Sequence, residues 1–174
     1  MDYLNLIFRS KVAILSLLLL VVLQSNASED NRTINPLKVF QADSLEQIKK
    51  GHTGKPFILI VWSVDCLPCR QEFEMLRIVK KQYPELNLSI VATESIEEVP
   101  QLSDILAEHQ LLQEDNWAFA ETHSAKLRYQ LDPSWYGELP RAYFYDRQHA
   151  RFPISGKLVK SNVIEWLTQV NKES

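Results

Sequence analysis

Two cysteines are the residues of this chain best suited to chemistry. The 174-residue sequence contains only Cys66 and Cys69, which are separated by Leu67 and Pro68. A disulfide across so short a loop restricts little of the unfolded chain's entropy, so it would be a weak structural staple. The spacing therefore favours redox exchange over an inert structural disulfide. A zinc site is a weaker alternative, because there is no second C-x-x-C pair and no suitably spaced histidine pair.

The element that follows the pair should control its reactivity. Apolar residues recur every three or four positions from Cys69 onward, which predicts a helix that runs to about Tyr83 before Pro84 stops it. Cys66 would then lie exposed at the helix N-terminus, where free N–H groups and the helix dipole favour a thiolate. Because the thiolate is the nucleophile in disulfide exchange, we predict that Cys66 attacks a partner and that Cys69, one turn deeper, resolves the mixed disulfide.

Two neighbours of the cysteines bear on how this helix starts. Pro68 falls in the first turn, where its missing N–H costs nothing and its fixed φ suits the helix. Asp65 either caps the helix or opposes the Cys66 thiolate with its charge, and we favour the cap.

The first residues have the order of a secretory signal. Arg9 and Lys11 precede an apolar run over 12–23, and Ser25 and Ala27 occupy the small-residue positions of a cleavage site. The run is short for a membrane span, which needs roughly 20 residues. We expect residues 1–27 to be a signal peptide cleaved after Ala27, with an uncleaved N-terminal membrane anchor as the alternative. In both cases the domain over 28–174 faces the outside of the membrane.

Composition is that of a single globular domain. The chain is 45% hydrophobic and 24% charged, with a formal net charge of −3. That charge provides no basic face for nucleic acid, so no nucleic-acid partner is expected.

Strands and helices are predicted to alternate, which indicates an α/β domain. The apolar run over 57–62 predicts a strand buried on both faces at the centre of the sheet. A strand over 86–92 after the cysteine helix completes a parallel crossover unit. The other predictions are a strand over 37–40, a helix from Ser44 to Gly51 with a Ser44–Gln47 capping box, a short helix after Pro100, a strand over 117–120, a helix from Thr122 to Tyr129, a hairpin over 141–145 and 150–154 with Pro153 on an edge, and a final helix capped by Ser161.

This order of elements resembles the thioredoxin fold over about residues 37–170. Within that fold the segments 61–72, which contains Cys66-Leu67-Pro68-Cys69, and 135–146, which contains Leu139-Pro140, look most like the exported TlpA/ResA-type oxidoreductases. The resemblance implies a three-layer fold with a central mixed sheet flanked by helices. Asp65 and Leu67 depart from the residues that the family often has there, so they are expected to tune the redox potential.

The resemblance also implies roles outside the cysteine pair. Pro140 would be a cis proline beside the cysteines, and the backbone of Leu139 would pair with an extended substrate segment. Sequence alone would treat Pro140 as an ordinary turn, since only about 5 to 6% of X-Pro bonds are cis. Glu72 would move protons at the thiols if it is buried, whereas an exposed surface glutamate is the alternative.

Aromatic residues near both segments are expected to differ in role. Trp62, at the end of a buried strand, is predicted to be a core residue. Trp135 and Tyr136, in a turn-rich segment before Leu139, are predicted to form an apolar rim for substrate.

The predicted function is therefore disulfide exchange in exported proteins by a chain that needs no cofactor. The family resemblance favours the reducing direction, as in cytochrome c maturation, with a membrane electron donor as a further partner. The alternatives are a periplasmic disulfide oxidant or isomerase, and a non-catalytic binding or copper-handling module with the same fold.

Overall fold

The computed structural model describes residues 37–122 and 124–172. The predicted signal peptide, residues 1–27, lies outside the described residues. In chain order the elements are β1 Lys38–Phe40, α1 Ser44–Gly51, β2 Phe57–Trp62, α2 Leu67–Gln82, β3 Leu88–Ser95, a 3-10 turn Ile96–Glu98, α3 Val99–Glu108, β4 Asp115–Phe119, α4 Ala125–Leu131, β5 Arg141–Tyr145, β6 Arg151–Ser155 and α5 Lys160–Lys172.

The strands form one mixed sheet in the order β1-β4-β3-β2-β5-β6. The first four strands of that order are parallel, β5 pairs antiparallel with β2, and β6 pairs antiparallel with β5. Strands β2 and β3 are central, and α2 connects them as the predicted crossover. Pro153 lies on the edge strand β6, as predicted.

Both faces of the sheet are covered, which explains why β2 is a continuous apolar run. Successive residues of a strand point to opposite faces. Residues 58, 60 and 62 join a core cluster with side chains of α2, α3 and α5. Residues 57, 59 and 61 join a second cluster with side chains of α1 and α4. The predicted three-layer arrangement is therefore confirmed.

The predicted capping box of α1 is wrong. Ser44 is the first residue inside the helix, and its hydroxyl accepts a hydrogen bond from the Gln41 amide at 2.9 Å. The Gln47 side chain donates to Asp43 at 2.8 Å. Asp43 occupies the N-cap position, one residue before the cap that the sequence pattern predicts.

Two further predicted caps are wrong. The hydroxyl of Ser124 caps α4 by accepting the Leu127 amide at 3.3 Å, whereas the Thr122 hydroxyl accepts the amide at the end of β3. Ser161 lies inside α5, which begins at Lys160.

Strand β3 extends further than its apolar residues suggest. The sequence pattern predicts a strand over 86–92, whereas β3 begins at Leu88 and continues through Ser95. Its polar residues Thr93, Glu94 and Ser95 are also buried. This extension places Glu94 next to the segment that leads into the cysteines. Among the described residues, no helix is long and apolar enough to cross a membrane.

Candidate active site

Cys66 and Cys69 form a disulfide at the start of α2, with their Cα atoms 5.3 Å apart. Cys66 occupies the N-cap position, and its Sγ accepts a hydrogen bond from the Cys69 amide at 3.2 Å. The backbone amides of a first helical turn have no partner in the helix and favour negative charge. This arrangement would favour a thiolate on Cys66 if the disulfide were opened.

The cap of α2 is the sulfur of Cys66, so the predicted Asp65 cap is wrong. Asp65 is exposed, and its backbone carbonyl accepts the Leu67 amide at 3.1 Å. Pro68 lies within the first turn, as predicted.

The two cysteines differ in accessibility in the disulfide form. Cys66 is 8% exposed and Cys69 is fully buried. The prediction that Cys66 is exposed is therefore wrong for the disulfide form, although Cys66 is more accessible than Cys69, as predicted. Leu67, between them, is 63% exposed and places an apolar side chain at the surface.

Glu72 is buried on α2, one turn after Cys69. Its Oε1 accepts the backbone amide of Leu158, while Oε2 has no hydrogen-bond partner within the described ranges. Burial raises the pKa of Glu72 to about 7, although the Leu158 amide and the charge of Lys157 act in the opposite direction. The alternative of an exposed surface glutamate is therefore wrong, because the segment after β6 covers this side chain.

Glu94 anchors the segment that leads to the cysteines. Its Oε1 accepts the Val64 amide at 2.8 Å, and the residue is only 6% exposed. The bond joins the end of β3 to the loop between β2 and α2. Sequence analysis missed Glu94, and the only signal was an acidic residue directly after an apolar strand.

Pro140 follows a cis peptide bond, as the resemblance implied. It precedes β5, whose first residue Arg141 pairs with Val61 near the end of β2. Because the cysteine segment leaves from that same end of β2, Pro140 and the disulfide lie at one edge of the sheet. Leu139 is partly buried and packs against both core clusters.

The aromatic residues separate into core and surface. Trp62 is fully buried, as predicted, and stacks edge-on against Phe73 with ring centroids 5.0 Å apart. Trp135 is 4% exposed and donates its Nε1–H to the Glu138 carbonyl at 2.8 Å, so its predicted place in the rim is wrong. Tyr136 is 95% exposed and remains the one aromatic of the predicted rim at the surface.

A buried ion pair beside Pro140 was also missed. Arg141 Nη2 and Asp132 Oδ2 are 2.9 Å apart, and their side chains are 8% and 1% exposed. The sequence signal was an arginine inside an otherwise apolar strand, directly after Pro140. In the part of the chain that the structure describes, no group of three or more histidine, cysteine or acidic residues could hold a metal ion.

Solved structures provide the comparison with known proteins. The chain is similar to a thioredoxin-family thiol:disulfide interchange protein from Chlorobium tepidum, with 16% identity, a TM-score of 0.56 and coverage of 70% of this chain and 83% of that one. It is also similar to a secreted disulfide oxidoreductase from Mycobacterium tuberculosis homologous to E. coli DsbE, with 16% identity, a TM-score of 0.53 and coverage of 69% and 85%.

StoA from Bacillus subtilis matches with 16% identity, a TM-score of 0.50 and coverage of 66% of this chain and 84% of that one. No family model and no curated protein sequence matches the chain. At these identities the likeness shows the fold. The chain therefore has a thioredoxin-like fold with a Cys66–Cys69 disulfide at the start of α2.

Proposed function

We propose that this protein is a thiol-disulfide oxidoreductase that acts on cysteines of exported proteins, as a reductant of the cytochrome c maturation type. The observation that carries the proposal is the position of the Cys66 sulfur at the N-cap of α2, where it accepts the Cys69 amide. An amide hydrogen bond and a helix N-terminus both favour the thiolate, which is the reactive form of cysteine.

The proposed reaction consists of two exchange steps. The Cys66 thiolate attacks one sulfur of a substrate disulfide, and the other substrate sulfur leaves as a thiolate. The Cys69 thiolate then attacks the Cys66 sulfur and releases the second substrate thiolate. The substrate gains two electrons, the protein is left with its Cys66–Cys69 disulfide, and a membrane-bound dithiol donor restores the reduced form.

Glu72 is proposed to take the proton that Cys69 must lose before the second step. A carboxyl with a pKa of about 7 is close to half ionised at neutral pH, where it can both accept and return a proton. Its Oε2, which lacks a partner in the described part of the chain, is the atom available to receive that proton.

Substrate is proposed to bind at the same edge of the sheet. The backbone of Leu139 would pair with an extended substrate segment, and Tyr136 and Leu67 would provide exposed apolar contacts. The signal-like segment 1–27 supports a periplasmic location, either free or anchored to the outer face of the inner membrane.

A Cys69→Ser variant tests the exchange mechanism. Without Cys69 the mixed disulfide on Cys66 cannot be resolved, so covalent complexes with exported proteins should accumulate and disappear on reduction. The matched Cys66→Ser variant should trap far fewer partners. Equal trapping by both variants, or no trapping by either, would contradict the proposal.

An oxidant or isomerase is the second candidate, and one similar structure supports it. A secreted thiol-disulfide isomerase from Corynebacterium glutamicum matches with 16% identity, a TM-score of 0.54 and coverage of 70% of this chain. Equilibration with glutathione separates the two functions. A reductant should lie near the thioredoxin potential of about −270 mV, and an oxidant near the DsbA value of about −120 mV.

A further inference from the structure

The loop over residues 132–141, here named the proline loop, is closed at its base by the buried Asp132–Arg141 ion pair. Asp132 follows α4 and Arg141 follows the cis proline, so the pair joins the two ends of the loop. Ion pairs this deeply buried contribute little net stability, because desolvation of both charges offsets their attraction. In some proteins such pairs are retained because they specify one conformation, and the segment whose two ends this pair joins is the proline loop.

The hydrogen bonds of the pair run within the proline loop or to the neighbouring strand β6, and only Arg141 Nε of its side-chain atoms lacks a partner in the described part of the chain. Asp132 Oδ1 accepts the amide and the hydroxyl of Ser134 at 3.0 and 2.7 Å. Arg141 Nη1 donates to the Ser155 hydroxyl on β6, and to Glu138 Oε1 at 3.3 Å. One guanidinium therefore bridges the start of the loop, its interior and the edge strand.

A second arginine, Arg151, also contacts the Asp132 carboxylate. Arg151 of β6 contacts Asp132 Oδ1 at 3.3 Å and donates to the Leu131 carbonyl at 3.0 Å. Both guanidinium groups lie over the ring of Tyr143, at 5.0 and 5.3 Å from its centroid. Burial opposes ionisation, yet the hydrogen bonds from Ser134 and Arg141 lower the pKa of Asp132 to about 2.

The interior of the proline loop is braced as well. The indole of Trp135 is buried and bonded to the Glu138 carbonyl, which leaves the next residue, Tyr136, almost fully exposed. Gly137 has a φ of +99°, and a Cβ there would lie 3.3 Å from the Arg128 side chain. The loop thus exposes Tyr136 at the surface, while Leu139 is partly buried and Pro140 is buried.

We propose that Asp132 and Arg141 are positioning residues that fix the proline loop in its substrate-binding conformation, and so control affinity for protein substrates but not the reactivity of Cys66. The inference rests on the proposed function, since it takes Tyr136 and Leu139 as the substrate contacts. A preorganised loop avoids the ordering cost of binding, which is the physical source of the expected effect.

The test compares two disulfide substrates of the reduced protein in single turnovers. One is oxidised glutathione, which is too small to need the proline loop. The other is a ten-residue extended peptide whose single cysteine carries glutathione as a mixed disulfide. The Asp132→Asn variant should raise the half-saturating peptide concentration at least about tenfold, or about 1.4 kcal/mol. Its maximal rate, its rate with oxidised glutathione and its Cys66 alkylation rate should stay within about twofold of wild type.

Two further variants make the test specific. Arg141→Lys keeps the positive charge but loses the fork that reaches Asp132, Glu138 and Ser155 together, so it should weaken peptide binding in the same way. Glu46→Gln removes the exposed Glu46–Lys49 ion pair of α1. This control should change neither the half-saturating peptide concentration nor the rate with oxidised glutathione.

Three results would overturn the proposal. The first is unchanged peptide binding in both loop variants. The second is an equal loss of reactivity with the peptide and with oxidised glutathione. The third is failure of both variants to fold, which would make the pair a requirement of the whole domain. If the wild-type protein reacts with neither disulfide, the proposed function itself fails, and that result is distinct from a loss confined to the loop variants.

Discussion

The first two turns of α2 and the proline loop lie at the same edge of the sheet, but each contains a carboxyl whose pKa is shifted in the opposite direction. In α2, burial raises the pKa of Glu72 to about 7, so its charge changes near neutral pH. In the proline loop, hydrogen bonds lower the pKa of Asp132 to about 2, so this residue stays negatively charged near neutral pH. The contrast separates a carboxyl whose charge changes near neutral pH from one whose charge does not.

Glu72→Gln gives the sharpest test of the first region. The glutamine keeps the size of the side chain but cannot accept the Cys69 proton, so resolution of the mixed disulfide should slow about a hundredfold at pH 7, as expected for loss of a general base. Quenched single turnovers should show the mixed disulfide accumulating. Glu74→Gln, at an exposed acid on the same helix, is the matched control. An unchanged resolution rate would assign Glu72 no part in proton transfer.

The same residue predicts a pH-dependent stability. The pKa of Glu72 is raised in the folded protein from 4.5 to about 7, so the folded state binds the proton more tightly. This stabilising contribution is fully present below about 4.5 and is lost as pH rises through about 7.

Relative to Glu72→Gln, the oxidised wild type should lose up to about 3 kcal/mol of unfolding free energy between pH 4.5 and 8. Denaturant titrations across that range measure the difference. Asp132 works in the opposite sense, since its stabilising contribution is lost only as pH falls through about 2, so the proline loop adds no slope between pH 5 and 8. Parallel curves for the wild type and Glu72→Gln would remove the contrast between the two regions.

The fold was more predictable than the site. Helices and strands follow from patterns of neighbouring residues, whereas the site depends on contacts between residues far apart in the chain. The continuous apolar run of β2 and the spacing of α2 are local patterns, and they gave both elements within about a residue or two of their bounds. The start of α2 could also be predicted from local residues alone, namely Cys66, Pro68 and Cys69.

The features that stayed open, were missed or were wrongly predicted depend on partners that are remote along the chain. Glu72 is buried because the Leu158 amide, 86 residues further on, closes over it. Trp135 is buried because it joins the second core cluster with Phe40 of β1 and Ile48 of α1, which lie far earlier in the chain. Nothing in the spacing of Asp132 and Arg141 indicates that the pair is buried, since that depends on β6 and α4 meeting at the loop.

Glu94→Ala should have a smaller effect than the changes at Glu72. It removes the acceptor of the partly buried Val64 amide, and a donor left unsatisfied away from water costs about 1–3 kcal/mol. Thermal or chemical unfolding measures the loss, and Glu94→Gln, which keeps an oxygen acceptor, should recover part of it. Full stability in Glu94→Ala would mean that the cysteine segment does not depend on this anchor.

The smallest expected effect lies outside both regions. Ser124→Ala removes the side-chain cap of α4 and should cost about 1 kcal/mol of stability. Exchange rates with both disulfide substrates should remain those of the wild type. A loss of peptide binding in this variant would extend the positioning role from the proline loop to the helix before it.

The central claim is that the helix start makes one sulfur of the pair reactive. Alkylation of the reduced protein, followed site by site by mass spectrometry from pH 5 to 10, measures this directly. The account predicts that Cys66 is modified much faster than Cys69, with a midpoint clearly below the ordinary cysteine pKa of about 8.5. Two equally slow thiols with midpoints at or above that value would contradict it.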